Sequence, residues 1–262
     1  IDDRGFSKYF LTMRSIAEVA TGMMLTGPAR GSAAGSLVAY ALDITQVDPI
    51  KYGLLFSRFL RSDATDYPDI DYDVSDSMLL KEKLVEMWGE DCVAPISNWN
   101  TLQLKSLIKD ISKLYGIPFT EANTVTSIMI REATPEAKRA RGIKSGIYAP
   151  TWQEVIEFSP ALRKYLGKYP QVKTHVEGLV GQVRSCSRHA GGVVIAESLD
   201  RNMPLINSGG VRQAPWAEGQ NVRHLEPMGF IKFDLLGLST LKMMEGCIEH
   251  VLRRHHGVES PT

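Results

Sequence analysis

The stretch "YPDIDYDVSD" places carboxylates at Asp69, Asp71 and Asp73, on every second residue, with a fourth at Asp76. On a strand, residues two apart share a face, so these three side chains stand about 7 Å apart and repel one another. A hard divalent cation removes the conflict, because Mg²⁺ takes carboxylate oxygens, keeps several waters and bridges to phosphates. Two such ions about 4 Å apart would activate an attacking hydroxyl and stabilise a leaving oxygen in phosphoryl or nucleotidyl transfer. The competing reading of D-x-D-x-D alone is a solvated edge or turn. A calcium loop fails on its turn. Counted from Asp69, its glycine position holds Val74 and its terminal glutamate position Leu80; counted from Asp71, Glu82 fits but Asp76 replaces the glycine.

Two further stretches bear on that chemistry. "GPARGSAAGS" offers backbone freedom at Gly31 and Gly35, hydroxyls at Ser32 and Ser36, and a bidentate fork for phosphate at Arg30. A helix beginning just after it would favour an anion further. It lacks the Gly-Lys-Ser/Thr of a P-loop and the G-x-G-x-x-G of a dinucleotide fold, and by itself also reads as a structural turn. In "IKFDLLGLSTL", Asp234 interrupts an apolar strand with Lys232 two residues before it on the same face. A buried carboxylate there needs a partner. The pair is either a surface ion pair or a third metal carboxylate beside a phosphate-binding lysine.

The elements that must carry these residues are legible from periodicity. "YFLTMRSIAEVATGMM" has helical spacing, and "SLVAYALDI" after the glycine-rich loop is expected to be a buried helix. "LLFSRFL" is expected as a short helix or strand. Alternation of Ile70, Tyr72 and Val74 against the three aspartates predicts a strand with one charged face. "SMLLKEKLVEMWG" predicts a helix with Ser77 as N-cap and Gly89 beyond its end. In "LQLKSLIKDISKLYG", Lys105, Lys109 and Lys113 recur on one face of an amphipathic helix. From Pro118 to about Pro170 a helical or irregular insertion is expected, containing the cluster Lys138, Arg139, Arg141 and Lys144. "HAGGVVIA", preceded by a turn, and "GFIKFDLLG" predict strands, and "STLKMMEGCIEHVLRRHHG" a closing helix.

With 262 residues, 44% of them hydrophobic, the chain holds one large domain or two smaller ones. Thirty basic side chains balance thirty acidic ones, but unevenly. Residues 1–100 carry 15 acidic against 9 basic, net −6, and residues 101–175 carry 6 against 12, net +6. Such asymmetry favours a polyanion partner. Three cysteines, Cys92, Cys186 and Cys247, without CxxC spacing indicate neither a disulfide framework nor a zinc ribbon and fit a reducing cytoplasm. No apolar run is long enough for a bilayer and no secretory leader is visible. The start at Ile1 leads us to expect a segment of a longer chain.

Taken in order, "GPARGSAAGSLVAYALDITQVDP", "LLFSRFL", "PDIDYD", "RHAGGVVIA" and "IKFDLLGLSTL" resemble the C-family DNA polymerases, the catalytic alpha subunits of bacterial replicative DNA polymerase III. The matches run from about Phe6 to Leu241, with a divergent middle. The resemblance implies an α/β (α+β) fold: a polymerase beta-like nucleotidyltransferase palm with a mixed sheet, plus a mainly helical thumb insertion. The palm would comprise residues 1–99 and 176–241, the thumb 100–175, and residues 242–262 the start of the fingers or a C-terminal helix. Asp69, Asp71 and Asp234 become the catalytic metal ligands for two Mg²⁺ ions, with Mn²⁺ as a substitute and Asp73 less essential. Arg30, Gly31, Ser32, Gly35 and Ser36 would approach the incoming deoxynucleoside triphosphate, assisted by Lys232 and by Arg188 or His189.

On the same resemblance, Lys105, Lys109, Lys113, Lys138, Arg139, Arg141 and Lys144 would grip primer-template DNA by its backbone. The fingers or a sliding clamp are the implied protein partners, in the cytoplasm of a bacterium or a phage-infected host. This sequence departs from the family pattern at Val74, where Phe is usual, at Ala29, where a second glycine is usual, and in "NWNTLQLKSLIKDISKLYG". A phage or otherwise distant member is therefore expected. The rival expectation is a binding module derived from a palm, gripping DNA or a polymerase without catalysis.

Overall fold

The computed structural model describes residues 1–61, 63, 67–218 and 223–257. In chain order the regular elements are α1 (Ser7–Thr21), α2 (Leu37–Ala41), β1 (Asp71–Val74), α3 (Ser77–Trp88), β2 (Val93–Thr101), α4 (Leu104–Leu114), α5 (Phe119–Ala140), α6 (Trp152–Phe158), α7 (Pro160–Lys168) and α8 (Pro170–Leu179). They continue with β3 (Val183–Ile195), α9 (Leu199–Asn202), β4 (Ile206–Ser208), β5 (Val211–Gln213), β6 (Lys232–Gly237) and α10 (Ser239–His256). The chain divides into two compact units, Ile1–Asn98 with Ser187–Thr262, and Trp99–Cys186. No helix among the described residues is long and apolar enough to cross a membrane.

The first unit is a mixed α/β layer structure. Its sheet has the order β1-β6-β3-β2, with β1 parallel to β6 and β3 antiparallel to it. One face carries Tyr72, Val74, Val193, Phe233 and Leu235 into the main core. That face is covered by α1, whose Tyr9, Phe10, Met13, Ile16, Ala17 and Ala20 form one apolar stripe, and by Leu80 and Leu84 of α3. Tyr9 stacks on Phe233 at 5.3 Å between ring centroids, and its hydroxyl accepts the Ile70 amide at 3.1 Å. The backbone entering β1 is thereby tied to α1.

The outer edge of β1 is covered by residues 25–27. The Gly27 amide donates to the Asp73 carbonyl at 2.8 Å, and the Ser75 amide to the Leu25 carbonyl at 2.9 Å. This crossing requires glycine, since a Cβ at Gly27 would lie 2.8 Å from the Asp73 Cβ. A small hairpin of β4 and β5 completes the unit.

Four expectations change. The segment after the glycine-rich loop is not a buried helix: α2 is one short turn with Leu37, Val38 and Tyr40 exposed and only Ala39 inside. Its five residues leave too few apolar positions for a buried stripe. The carboxylate strand begins at Asp71, so Asp69 precedes it. The N-cap of α3 is Asp76, whose Oδ1 accepts the Leu79 amide at 3.1 Å, one residue before the expected Ser77. Finally, β3 starts at Val183, because strand pairing continues through "RSCSR" where a turn was expected. "LLFSRFL" forms a short 3₁₀ turn, Phe56–Arg58.

The second unit is helical apart from the strand ends it takes from β2 and β3. Its core joins Leu107, Ile108 and Ile111 of α4 to Val125 and Met129 of α5, Trp152 of α6, Leu162 of α7 and Val176 of α8. A capping box starts α6: the Thr151 hydroxyl accepts the Glu154 amide while the Glu154 carboxylate accepts the Thr151 amide.

Candidate metal and nucleotide site

Parallel pairing of β1 with β6 puts Asp71 directly opposite Asp234. Each of Asp69, Asp71 and Asp234 offers a carboxylate oxygen, and the three oxygens lie within 4.8 Å of one another. The Lys232 ammonium meets Asp234 Oδ2 at 2.8 Å, with both side chains largely buried. The other oxygen of Asp234, Oδ1, is buried and meets no hydrogen-bond donor among the described residues. An acceptor left without a donor beside two more carboxylates fits a cation and not a neutral hydrogen-bond network. The donor set is oxygen only, which suits a hard ion such as Mg²⁺.

Electrostatics agree with the geometry. Burial, then the Asp234 charge, pushes the Asp69 carboxyl above its usual range against the pull of Lys232. Burial also raises Asp71, followed by Asp69 and Asp234, with Arg30 opposing. Desolvation is the larger cause at both carboxyls, and repulsion from the neighbouring carboxylates adds to it.

Asp73 stands apart from these three. It is buried, and Arg30 Nη1 donates to its Oδ1 and Oδ2 at 3.3 and 3.2 Å. Arg30 Nε also lies 3.9 Å from Asp71 Oδ2, so this guanidinium joins the glycine-rich loop to the carboxylate strand. Gly31 follows with φ +60°, a left-handed conformation that glycine tolerates.

Within the loop the candidate residues divide. Gly31 and Ser32 are exposed and border a cavity of about 440 Å³ with Leu54, Leu55 and Arg58. Gly35 and Ser36 are buried and make contacts internal to the fold. A Cβ at Gly35 would stand 2.9 Å from the Leu55 carbonyl oxygen, and the Ser36 hydroxyl accepts the Ala39 amide at 3.2 Å as the N-cap of α2. The expected helix-terminus contribution is small, because α2 is one short turn whose cap is already internal.

Arg188 and His189 border a different cavity, of about 670 Å³, together with Lys81 and Arg212. His189 Nδ1 accepts the amides of Gly191 and Gly192 at 3.2 and 2.7 Å, so that nitrogen is already engaged. Burial, then Lys232, lowers the His189 pKa.

Lys81 and Arg58 were not singled out from sequence. Lys81 is buried on α3 and donates to the Ala190 carbonyl at 2.8 Å, and burial pushes its ammonium down to about 8. The available signal was a lysine within the apolar stripe of Leu80 and Leu84. For Arg58 it was an arginine between phenylalanines shortly before the aspartates.

Of the seven basic residues in the second unit, four have internal partners. Lys109 donates to Asn123 Oδ1 at 2.8 Å, Lys138 to the Gly146 carbonyl, Arg139 to Glu136 and Arg141 to Glu154. Lys105, Lys113 and Lys144 are exposed and form no ion pair among the described residues. Two of the four partnered residues, Arg139 and Arg141, meet carboxylates, while Lys109 and Lys138 meet uncharged oxygens.

Comparison with known proteins bears on the whole chain. Residues 1–237 match the family model for the bacterial DNA polymerase III alpha NTPase domain. The DNA polymerase III subunit alpha of Thermus aquaticus is 35% identical over 273 positions, covering 99% of this chain and 20% of the relative. That of Aquifex aeolicus is 32% identical over 290 positions, covering 99% and 23%, and that of Mycobacterium tuberculosis 35% over 269, covering 99% and 22%. The chain thus spans about a fifth of the length of the curated relatives it matches. With nine-tenths of its residues inside the family model, this chain belongs to the bacterial DNA polymerase III alpha family.

Proposed function

We propose that this chain supplies the palm and thumb of a C-family replicative DNA polymerase, a template-directed nucleotidyltransferase acting on a primer 3′-hydroxyl. The first unit would be the polymerase beta-like palm, and Trp99–Cys186 the thumb that grips the duplex backbone. The observation that carries the reading is the convergence of Asp69, Asp71 and Asp234, with an orphaned oxygen on Asp234.

Asp69, Asp71 and Asp234 would hold two Mg²⁺ ions, or Mn²⁺ in their place. When bound, these ions would lower the pKa of the attacking hydroxyl and neutralise charge developing on the phosphate and leaving oxygen. Lys232, fixed at Asp234, holds one carboxylate oxygen and supplies a cation for the transferred phosphate. Arg30 presents a planar donor fork beside Asp71, and the Gly31–Ser32 turn presents backbone and hydroxyl donors for the triphosphate. The stacked Tyr9–Phe233 pair and the Tyr9–Ile70 hydrogen bond keep the two aspartate segments in register, which holds reacting groups in place. The rest of the nucleotide pocket would come from fingers in the remaining polymerase, with primer-template DNA and deoxynucleoside triphosphates as substrates in a bacterial or phage-infected cytoplasm.

The test is primer extension by this chain, alone and with the remaining polymerase segments supplied, combined with Mn²⁺ binding followed by electron paramagnetic resonance. Metal-dependent extension that vanishes in Asp69→Asn and Asp234→Asn, with parallel loss of Mn²⁺ binding, supports the reading. Mn²⁺ binding indifferent to both substitutions refutes it and leaves a binding module.

A further inference from the structure

We propose that Asp73 is a positioning residue for nucleotide phosphate and not a metal ligand: it holds Arg30 over Asp71 with its free donors turned to the phosphate site. The inference rests on the nucleotidyltransferase reading and assigns the third carboxylate of the strand a different task.

Alternation along a strand puts Asp73 on the same face as Asp71. The converging oxygens nevertheless come from Asp69, Asp71 and Asp234 and exclude it. Its register partner on β6 is Leu236, where that of Asp71 is Asp234, so Asp73 has no second carboxylate across the strand pair with which to share an ion. Both of its oxygens instead accept from the single nitrogen Nη1 of Arg30, at 3.3 and 3.2 Å. A guanidinium has five donors in a rigid plane. With Nη1 spent on Asp73 and Nε leaning toward Asp71 at 3.9 Å, Nη2 remains outside both pairs.

The loop is built to keep this arrangement. Gly27 crosses β1 close enough for its amide to reach the Asp73 carbonyl at 2.8 Å, which fixes the start of the loop on the same residue that its Arg30 binds. The Arg30 side chain is 44% exposed and that of Asp73 10%, so the carboxylate is the fixed partner and the guanidinium the accessible one. Without Asp73, Arg30 would have only Asp71 to pair with, and would compete with a cation for that carboxylate.

The experiment uses the 262-residue chain and two probes, Mn²⁺ alone and inorganic tripolyphosphate in the presence of Mn²⁺. For Asp73→Asn we expect Mn²⁺ affinity within about twofold of the unsubstituted protein, and tripolyphosphate affinity lower by about tenfold or more, the scale of one charge-assisted hydrogen bond. Arg30→Gln should weaken tripolyphosphate similarly, and the double variant should lose little more, since the two act as one unit. A purely structural Asp73 would move neither affinity below the unfolding transition.

Loss of Mn²⁺ binding in Asp73→Asn, as in Asp69→Asn, overturns the proposal by making Asp73 a ligand. Undiminished tripolyphosphate binding in Asp73→Asn beside a weakened Arg30→Gln overturns it as well. Should the unsubstituted chain bind neither probe, the nucleotidyltransferase reading fails, and the Arg30–Asp73 device is judged on its own by the rate of phenylglyoxal modification at Arg30. Faster modification in Asp73→Asn upholds the device, and an unchanged rate overturns it. If Asp73→Asn does not fold, Arg30→Gln decides from the other side of the pair: Mn²⁺ affinity retained with tripolyphosphate lost supports the proposal, and the reverse refutes it.

Discussion

Replacing Glu245 tests how the carboxylate strand and the glycine-rich loop are held together. This buried carboxylate of α10 accepts the Leu25 amide at 2.8 Å and the Ser75 hydroxyl at 2.9 Å through Oε1, and the Lys242 ammonium at 3.2 Å through Oε2. Leu25 opens the segment that crosses β1, and Ser75 follows β1, so one side chain ties both to α10. In Glu245→Ala the Leu25 amide is left without its acceptor in a partly buried setting, at about 1–3 kcal/mol. The Ser75 hydroxyl retains rotational freedom, and Lys242 keeps Asp76 at 3.7 Å, so together they add about 1 kcal/mol. A total of about 2–4 kcal/mol is expected for Ala, and about 1 kcal/mol for Gln, which keeps Oε1 as acceptor.

Proton linkage supplies a second reading of the same variants. Burial pushes the Glu245 carboxyl up, but the bonds from Leu25, Ser75 and Lys242 outweigh it and hold it below the usual range. Its contribution is therefore full above the unfolded-state value, about 4.3, and is lost as pH falls through the lower folded value. The gap between the unsubstituted protein and Glu245→Gln should close on acidification. Urea titrations by circular dichroism at about pH 7 and about pH 3 measure both quantities. Glu245→Ala within about 0.5 kcal/mol of the unsubstituted protein, or Gln as costly as Ala, would refute the latch.

In EDTA, Asp71→Asn should raise stability by about 0.5–1 kcal/mol through relief of repulsion, and Mg²⁺ should then stabilise the unsubstituted protein only; calorimetric scans with and without Mg²⁺ check it. Because the raised Asp69 and Asp71 carboxyls bind protons more tightly folded than unfolded, these two groups should add stability to the metal-free chain as pH falls from neutral toward those values, read as the pH dependence of the stability gap to an Asp69→Asn, Asp71→Asn variant. Asp69→Ala or Asp71→Ala in the assembled polymerase should abolish primer extension where Asp73→Ala leaves a substantial part. Gly35→Ala should cost about 1–3 kcal/mol, read by urea titration, because its Cβ meets the Leu55 carbonyl at 2.9 Å. Charge reversal at Lys105, Lys113 and Lys144 should flatten the salt dependence of duplex binding, its log-log slope falling by about 0.9 for each phosphate no longer neutralised, as measured by fluorescence anisotropy.

Elements with strong local periodicity were legible in the sequence itself. The stripe of α1, the alternation around Tyr72 and the amphipathic α4 each state their period within a dozen residues, and all three form the expected element type. Boundaries were less so, because Asp76 and Ser77 are both good caps and only the backbone geometry selects Asp76. The glycine-rich loop was ambiguous for a related reason. A run of glycine, alanine and serine reads equally as a phosphate cradle or as close packing, and here Gly31 and Gly35 differ in that respect despite their four-residue separation: the first is exposed at φ +60°, the second pressed on a carbonyl.

What local pattern cannot supply is pairing between distant segments. Asp71 and Asp234 are 163 positions apart, yet the parallel register sets them side by side. The period-two row at Asp69, Asp71 and Asp73 invited the assumption that carboxylates adjacent in sequence act together. A strand rise of about 7 Å per two residues keeps same-face neighbours farther apart than the about 4.8 Å between paired strands. A compact cluster of oxygens is therefore more readily completed across the sheet than along it, and the third member comes from β6. The leftover carboxylate, Asp73, lies opposite an apolar residue, and a buried charge in that position requires a cation from outside the sheet. Arg30 meets that requirement from the loop that crosses the strand, which is why the loop and the aspartates occur as one device although neither stretch, read by itself, calls for the other.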